Sequence, residues 1–398
     1  MKIGSSFLHQ LPRPWAHDSE YTLLKNLLEQ AEIIDQSGFD YIWATEHHFL
    51  EEYSHSSAPE IFLAACSQRT KNVRLGHGIV QTPPLINHPA RVAERIATLD
   101  LISGGRCEFG TGSGATLNEL GGFLVPQPEK KEMQLEGFRV AVRMLVEEPF
   151  AGHEGKHLKV PPRNVLPKPL QKPHPPLWMA CSRRESILDA ARLGLGALTF
   201  SFVSPDEARQ WVKDYYETIE NESVPLGYAV NPNFAVATPL LCDMDEKRVE
   251  QVRTESYGFF LYGLGHYSFF GQHLPGQTDL WQEFKTAPPQ DGTAPAEASA
   301  QFCLGSPKLI RDRLREFEES GIDQVIAVGQ VGRIPHELMC SSFRLFSKEV
   351  LPEFKDRELA VAHERAERRA RISEKAMARK PKQEHRPVTA VIPSAGHH

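Results

Sequence analysis

Two short segments of this 398-residue chain offer groups that chemistry can use. The first, Tyr41 to Phe49, is an apolar run that ends in Glu46, His47 and His48. The second, Arg106 to Gly114, ends in Gly110, Thr111, Gly112, Ser113 and Gly114. An imidazole trades a proton near neutral pH. A loop without side chains lets a flat ligand lie against the backbone, although the same glycines also suit a tight turn. Gly110 to Ala115 meets the relaxed G-x-G-x-x-A dinucleotide spacing. The context is wrong for that motif, because Gly121, Gly122 and Pro126 interrupt the long helix that should follow.

Three further places belong to the same reading. Gly78, within Gly76–Pro89, removes side-chain bulk where a ring can rest. His88 either faces a pocket or caps the helix that Pro89 opens. Ser182, Arg183, Arg184 and Ser186 open a helix after a strand, where free N–H groups, hydroxyls and guanidinium groups suit an anion. The alternative there is an ordinary cap with solvent-facing arginines. No metal site is expected. Adjacent histidines ligate poorly together, and Cys340 stands where a zincin-type spacing from His336 requires a second histidine.

These groups need elements to bring them together. Strand-like and helix-like segments alternate along the chain, which favours a parallel sheet. Strands are expected at Lys2–Phe7, Tyr41–Thr45, Val73–Val80, Cys107–Gly112, Leu177–Ala180, Ala197–Phe200, Phe234–Leu241 and Gln324–Val328. Helices follow each of them. Eight such units make a (β/α)8 TIM barrel, whose chemistry sits at the C-terminal ends of the strands; a doubly wound open sheet is the competitor. Proline-rich 161–176 connects to the fifth strand. Residues 258–302, rich in Gly, Pro, Phe and Tyr, read as an irregular excursion near strand seven that covers the site, or else as a structureless insertion. The aromatic residues Phe259, Phe260, Tyr262, Tyr267, Phe269 and Phe270 suit either a substrate cavity or the excursion's own core. The barrel is expected over 1–355, with a charged tail over 356–398 that is helical at first and disordered from Lys380 onward.

Composition excludes several classes. Net charge is −6, with +5 concentrated in residues 355–386 and −11 elsewhere. An acidic body argues against nucleic acid as a partner, and the basic tail reads as solvated. No apolar stretch is long enough for a membrane span, and the first residues are too polar for a secretion signal, so a cytoplasmic protein is expected. The six cysteines form no Cys-x-x-Cys pair, which argues against a disulfide framework.

Taken in order, Glu46–Phe49, Asn87–Gly114, Pro167–Ser182 and Gly305–Val328 resemble the bacterial luciferase-like family of flavin-dependent monooxygenases. The resemblance covers about residues 1–355. It implies reduced FMN at the barrel mouth, with oxygen added at the flavin C4a position as a hydroperoxide that attacks a small lipophilic substrate. It gives His47 the catalytic place, assigns the flavin phosphate to Ser182, Arg183 and Ser186, and beds the ring on Gly78, Gly110, Gly112 and Ser113. It also implies a cis peptide near His77–Ile79. Ser113 departs from the pattern, because the luciferase proper carries a phosphate-binding arginine there; either Arg183 or Arg184 supplies the charge instead, or the cofactor is held more weakly. With no dinucleotide module in the chain, reduced flavin is expected from a separate NAD(P)H:flavin reductase, and a homodimer is possible. Hydride transfer with F420 on the same fold, or a non-catalytic flavin- or partner-binding barrel, are the alternatives.

Overall fold

The computed structural model describes residues 1–200, 203–287 and 302–381. Eight parallel strands close into a barrel: β1 (Lys2–Phe7), β2 (Tyr41–Ala44), β3 (Arg74–Gln81), β4 (Cys107–Gly112), β5 (Leu177–Cys181), β6 (Gly196–Thr199), β7 (Phe234–Cys242) and β8 (Gln324–Val328). Each pairs with the next, and β8 returns to β1 in the register Lys2 opposite Gln324. This is the (β/α)8 barrel that the alternation predicts, and the open sheet is ruled out by that closing pair. An extra strand, Cys303–Gly305, adds to the end of β7. The proline-rich connector carries a small antiparallel hairpin, His153–Glu154 with Lys159–Val160.

Helices form the outer ring. In chain order they begin with α1 (Ser19–Gln36), α2 (Pro59–Arg69), α3 (Pro89–Ile102) and α4 (Leu117–Gly122), followed by α5 (Lys130–Val146), α6 (Arg184–Arg192) and α7 (Pro205–Asn221). α3 starts as its residues dictate: Pro89 fills the first turn and the His88 ring accepts from Ala90 N–H at 3.2 Å. His88 is therefore a cap.

The barrel floor is a tryptophan plug. Trp43 and Trp178 are buried and meet edge to face, with centroids 5.3 Å apart. A Cβ at Gly76 or Gly196 would run into their rings, so glycine is required opposite each indole. Glu108 accepts from Trp178 Nε1 at 2.6 Å and pairs with Arg74. Burying a large aromatic pair contributes several kcal/mol, offset in part by the Trp43 N–H, which is buried without a partner among the described residues.

The described part of the excursion is helical rather than irregular. After α8 (Glu246–Val252) the chain runs through a π-helical turn at Arg253–Tyr257, α9 (Gly258–Gly265), a second π-helical turn at His266–Phe270, and α10 (Leu280–Thr286). Its glycines and aromatics give no helical period, but packing holds it: Phe259 and Tyr262 form a cluster of their own with Leu280 and Trp281. Residues 288–301 of the expected excursion lie outside the described residues.

α11 (Pro307–Glu319) and α12 (His336–Glu349) complete the ring, and α13 (Leu351–Arg379) runs on from it. The expected solvated tail is corrected here. Ile372 and Ala376 of α13 are buried, Arg369 bonds Asp323 at 3.0 Å, Lys375 pairs with Glu220, and Arg379 donates to the Ser223 carbonyl. Basic side chains meet the acidic body, so the charge asymmetry is satisfied within the chain. Disorder is expected from Lys380 onward, but Lys380 Nζ donates to the carbonyls of Leu226 and Gly227; residues 382–398 lie outside the described residues.

Candidate active site

The site is the C-terminal rim of the strands. β2 ends at Ala44, so His47 and His48 lie in the loop beyond it and strand alternation no longer separates them. The His47 N–H donates to the Ser56 carbonyl at 2.9 Å. Its ring lies 5.9 Å from Tyr53, edge to face, and its Nδ1 is 3.1 Å from Glu119 Oε1. His48 turns elsewhere: its Nε2 lies 2.9 Å from Glu46 Oε1, and its ring packs on Phe123.

Glu119 is fully buried, and sequence reading passed over it. Burial pushes its carboxyl up, but His47, the Gln81 amide and the His48 N–H outweigh burial and draw it down to about 2. The ionised carboxylate accepts Nδ1–H of His47, which fixes the tautomer and leaves Nε2 with no protein partner among the described residues. A signal was present: Thr116 to Glu119 is a T-x-x-E capping box, and both of its bonds form at the start of α4. The two glycines that end α4 hide this short helix from a periodicity search.

A hydrogen-bond chain braces the pair. Gln81, at the end of β3, donates from Nε2 to Glu119 (2.7 Å) and to the Glu46 carbonyl (3.0 Å). Asn87 donates to Glu46 Oε1 at 2.7 Å, and Arg95 reaches both Asn87 and Glu60. The Asn-His-Pro turn is thereby explained: Asn87 holds Glu46 while His88 and Pro89 start α3. Gln81 Oε1 and Thr199 Oγ1, at the ends of β3 and β6, are buried without a partner among the described residues.

The glycines have packing reasons of their own. A Cβ at Gly110 would strike the His77 carbonyl, one at Gly112 would come within 2.5 Å of Ile79 Cδ1, and one at Gly78 would touch Trp43 at 3.4 Å. Gly114 has φ +87°, which side chains other than glycine's tolerate poorly. Half-buried Ile79 therefore lies over the bare backbone of β4. β3 is irregular here, with a register shift against β4 between His77 and Val80. The cis peptide expected at His77–Ile79 is absent; among the described residues, cis bonds occur only before prolines. A bulge supplies the local bend instead.

The anion pole lies at the start of α6. Ser186 Oγ donates to the Arg183 carbonyl at 2.6 Å and accepts from the Arg183 N–H. The two arginines differ. Arg184 is committed to Asp214, whereas the exposed Arg183 guanidinium has no acidic partner among the described residues. Ser182 lies at the exposed start of this turn. Half-buried Ser113 donates to the neighbouring Gly114 carbonyl at 3.4 Å. A second cation, also missed from sequence, sits close by: Lys130 Nζ donates to that same carbonyl at 3.1 Å. Burial lowers the Lys130 pKa, Glu119 opposes this, and nearby Arg183 lowers it further. Two adjoining cations make a place for an anion.

The excursion walls the His47 side. Phe260 stacks parallel to Tyr53 at 6.0 Å. Glu52, buried in the same loop, accepts the N–H groups of Leu280 and Trp281 and so fastens α10. The six aromatics thus divide: Phe260 and Tyr267 turn toward Tyr53, Phe259 and Tyr262 form the excursion's own core, and Phe269 and Phe270 are exposed.

A barrel with a braced imidazole and an anion pole at one rim defines a ligand-handling enzyme fold, and comparison with known proteins gives the family. The chain belongs to the luciferase-like monooxygenase family, whose model matches residues 1–324. The uncharacterized protein y4vJ of Sinorhizobium fredii is 32% identical over 178 residues, 45% of this chain. That match spans about half of the relative's length, 50%. The oxygenase component of the flavin-dependent trigonelline monooxygenase of Acinetobacter baylyi is 24% identical over 375 residues, 90% of this chain and 97% of that protein. Among solved structures, monooxygenase RslO1 of Streptomyces bottropensis superposes with a TM-score of 0.71 at 24% identity, covering 89% of this chain and 100% of that one. The oxygenating constituent of 3,6-diketocamphane monooxygenase from Pseudomonas putida, in complex with FMN, gives 0.66 at 20%, covering 88% and 98%. The coenzyme F420-dependent tetrahydromethanopterin reductase of Methanopyrus kandleri gives 0.65 at 20%, covering 89% and 99%. No helix among the described residues is long and apolar enough to cross a membrane.

Proposed function

We propose that this protein is the oxygenase component of a two-component system. It takes reduced FMN from a separate NAD(P)H:flavin reductase and uses molecular oxygen to oxygenate a small lipophilic substrate. The observation that carries this reading is the His47–Glu119 pair set on the same rim as the cationic pole of Arg183 and Lys130. The residues suit the cofactor. Arg183, Lys130, Ser182, Ser186 and the first N–H groups of α6 would hold a phosphate. Ile79, which covers the backbone of Gly110 and Gly112, and the irregular turn of β3 beyond Gly78 would give a planar ring its apolar bed, with Ser113 at the edge. Gln81 Oε1 and Thr199 Oγ1, both lacking partners, offer hydrogen bonds to its polar edge.

When bound, reduced FMN supplies the two electrons that activate oxygen. The protein's part is proton handling and enclosure. Glu119 holds a His47 ring proton on Nδ1, so Nε2 is the nitrogen that exchanges a proton at the mouth, and the carboxylate stabilises the imidazolium. Tyr53 and Phe260 present an apolar wall that limits water. The test is incubation with a flavin reductase, FMN and NADH under oxygen-18, scoring label in a panel of lipophilic compounds. Label above a reductase-only control supports the reading; hydrogen peroxide alone across a broad panel counts against it.

Fold similarity to the F420-dependent reductase favours one second reading, hydride transfer from F420 on the same rim. Anaerobic equilibrium binding decides between them. Reduced FMN bound at least tenfold tighter than F420 supports the oxygenase, and the reverse order replaces it.

A further inference from the structure

We propose that Glu29, His336 and Cys340 form a zinc-type metal site on the outer wall of the barrel, where they join its first helix to the last helix of the ring. Sequence reading set a metal aside because Cys340 stands where a second histidine would. The fold supplies the donor that this spacing lacks. His336 and Cys340 are one turn apart on α12 and so share a face. α1 packs against that face and contributes Glu29. The three donor atoms lie within 4.8 Å of one another.

The separations are those of a coordination shell. His336 Nε2 is 3.5 Å from Cys340 Sγ and 3.2 Å from Glu29 Oε2. Tetrahedral zinc, with bonds of about 2.3 Å to sulfur and about 2.0–2.2 Å to nitrogen and oxygen, sets edges of about 3.6 Å and about 3.4 Å between such ligands. A thiolate and an imidazole select a borderline-soft ion over magnesium or calcium. Thiolate and carboxylate together balance a dication. The thiol proton leaves to solvent on binding, and the exposed Glu29 side leaves room for water as the fourth ligand.

A second observation points the same way. Gln30 is 1% exposed and lies directly behind the imidazole, with Nε2 3.2 Å from His336 Nδ1. Its Oε1 is buried without a partner among the described residues. A metal on Nε2 moves the ring proton to Nδ1. Turning the Gln30 amide over then gives that proton an acceptor, and requires the Gln330 carboxamide, whose Oε1 accepts from Gln30 here, to turn away as well. Metal-bound histidines typically show such a partner on the far nitrogen. The site lies on the helix layer and is independent of the flavin reading.

Cobalt(II) titration of the full-length, chelator-stripped protein tests it. The expected result is one equivalent bound with a thiolate-to-cobalt charge-transfer band, displaced by zinc, and an apparent melting temperature raised by zinc. Cys340→Ser removes the band. Glu29→Gln, at an exposed position that leaves folding intact, weakens binding at least tenfold. Among the described residues no other cysteine stands in a cluster of three possible ligands, so the band reports Cys340. No thiolate band in the unmodified protein, or a band that survives in Cys340→Ser, overturns the proposal.

Discussion

Two buried glutamates, Glu108 and Glu119, lie eleven residues apart on either side of the glycine-rich end of β4, and their carboxyls are driven in opposite directions. Burial holds Glu108 above the usual range, although Arg74 and the Trp178 N–H pull it down. Glu119 is buried as deeply, yet it falls to about 2, because His47, the Gln81 amide and a backbone N–H all point at it. The difference lies in the surroundings. Glu108 stands in the tryptophan floor, where few polar groups reach it and its task is to satisfy Trp178 and Arg74. Glu119 stands at the mouth, where convergent donors keep it ionised for an imidazole. One short stretch of chain thus passes from the floor that holds the barrel to the rim that can do chemistry.

The sharpest way to break this comparison is to damage the floor alone. Trp178→Ala removes a buried indole and the N–H that satisfies Glu108, at an expected cost of about 3–5 kcal/mol in urea unfolding. Enzyme that remains folded should keep kcat within a few-fold. A loss of kcat as steep as the loss of stability would mean that floor and mouth are one functional unit.

At the mouth, His47→Ala should lower kcat by about 10²–10⁴-fold, the usual range for a proton-transferring group, with little change in the unfolding midpoint. Glu119→Gln acts on both properties. The Glu119 pKa is lowered on folding, so its stabilisation is present above the unfolded value of 4.5 and is lost as pH falls toward about 2. That linkage amounts to about 3 kcal/mol at neutral pH. Glu119→Gln should therefore flatten the acid limb of the stability profile between these pH values. An unchanged acid limb would assign the acid sensitivity to other carboxylates.

The strands were legible to within a residue or two, because parallel barrel strands are short apolar runs bounded by glycine, proline and polar residues, as at Tyr41–Ala44 and Gln324–Val328. The same property conceals the floor. In a strand apolar on both faces, alternation does not reveal that Trp43 and Trp178 turn inward onto glycines of neighbouring strands. His47 and the turn at Ser182–Ser186 were visible as local patterns. Glu119 and Lys130 were not, because their meaning is relational. Glu119 matters through Gln81 and His47, 38 and 72 residues away, and Lys130 through the carbonyl of Gly114. The excursion and α13 were misjudged for a related reason. Long-range packing on Tyr53, Glu52 and Asp323 organises segments whose own composition looks irregular or solvated.

The smallest predicted effect separates two arginines that sequence treats alike. Arg184 is already neutralised by Asp214, with an exposed ion pair worth little to stability or to a ligand. The Arg183 guanidinium, beside Lys130, has no acidic partner among the described residues. A charge-assisted hydrogen bond to a phosphate is worth about 1.5–3 kcal/mol, so Arg183→Ala should weaken FMN binding about 10–100-fold. Riboflavin, which lacks the phosphate, should bind Arg183→Ala and the unmodified protein alike. Arg184→Ala should change neither ligand's affinity by more than a few-fold. Equal losses for both flavins in Arg183→Ala would mean that this residue shapes the mouth as a whole, and the anion pole would then pass to Lys130 and the N–H groups of α6.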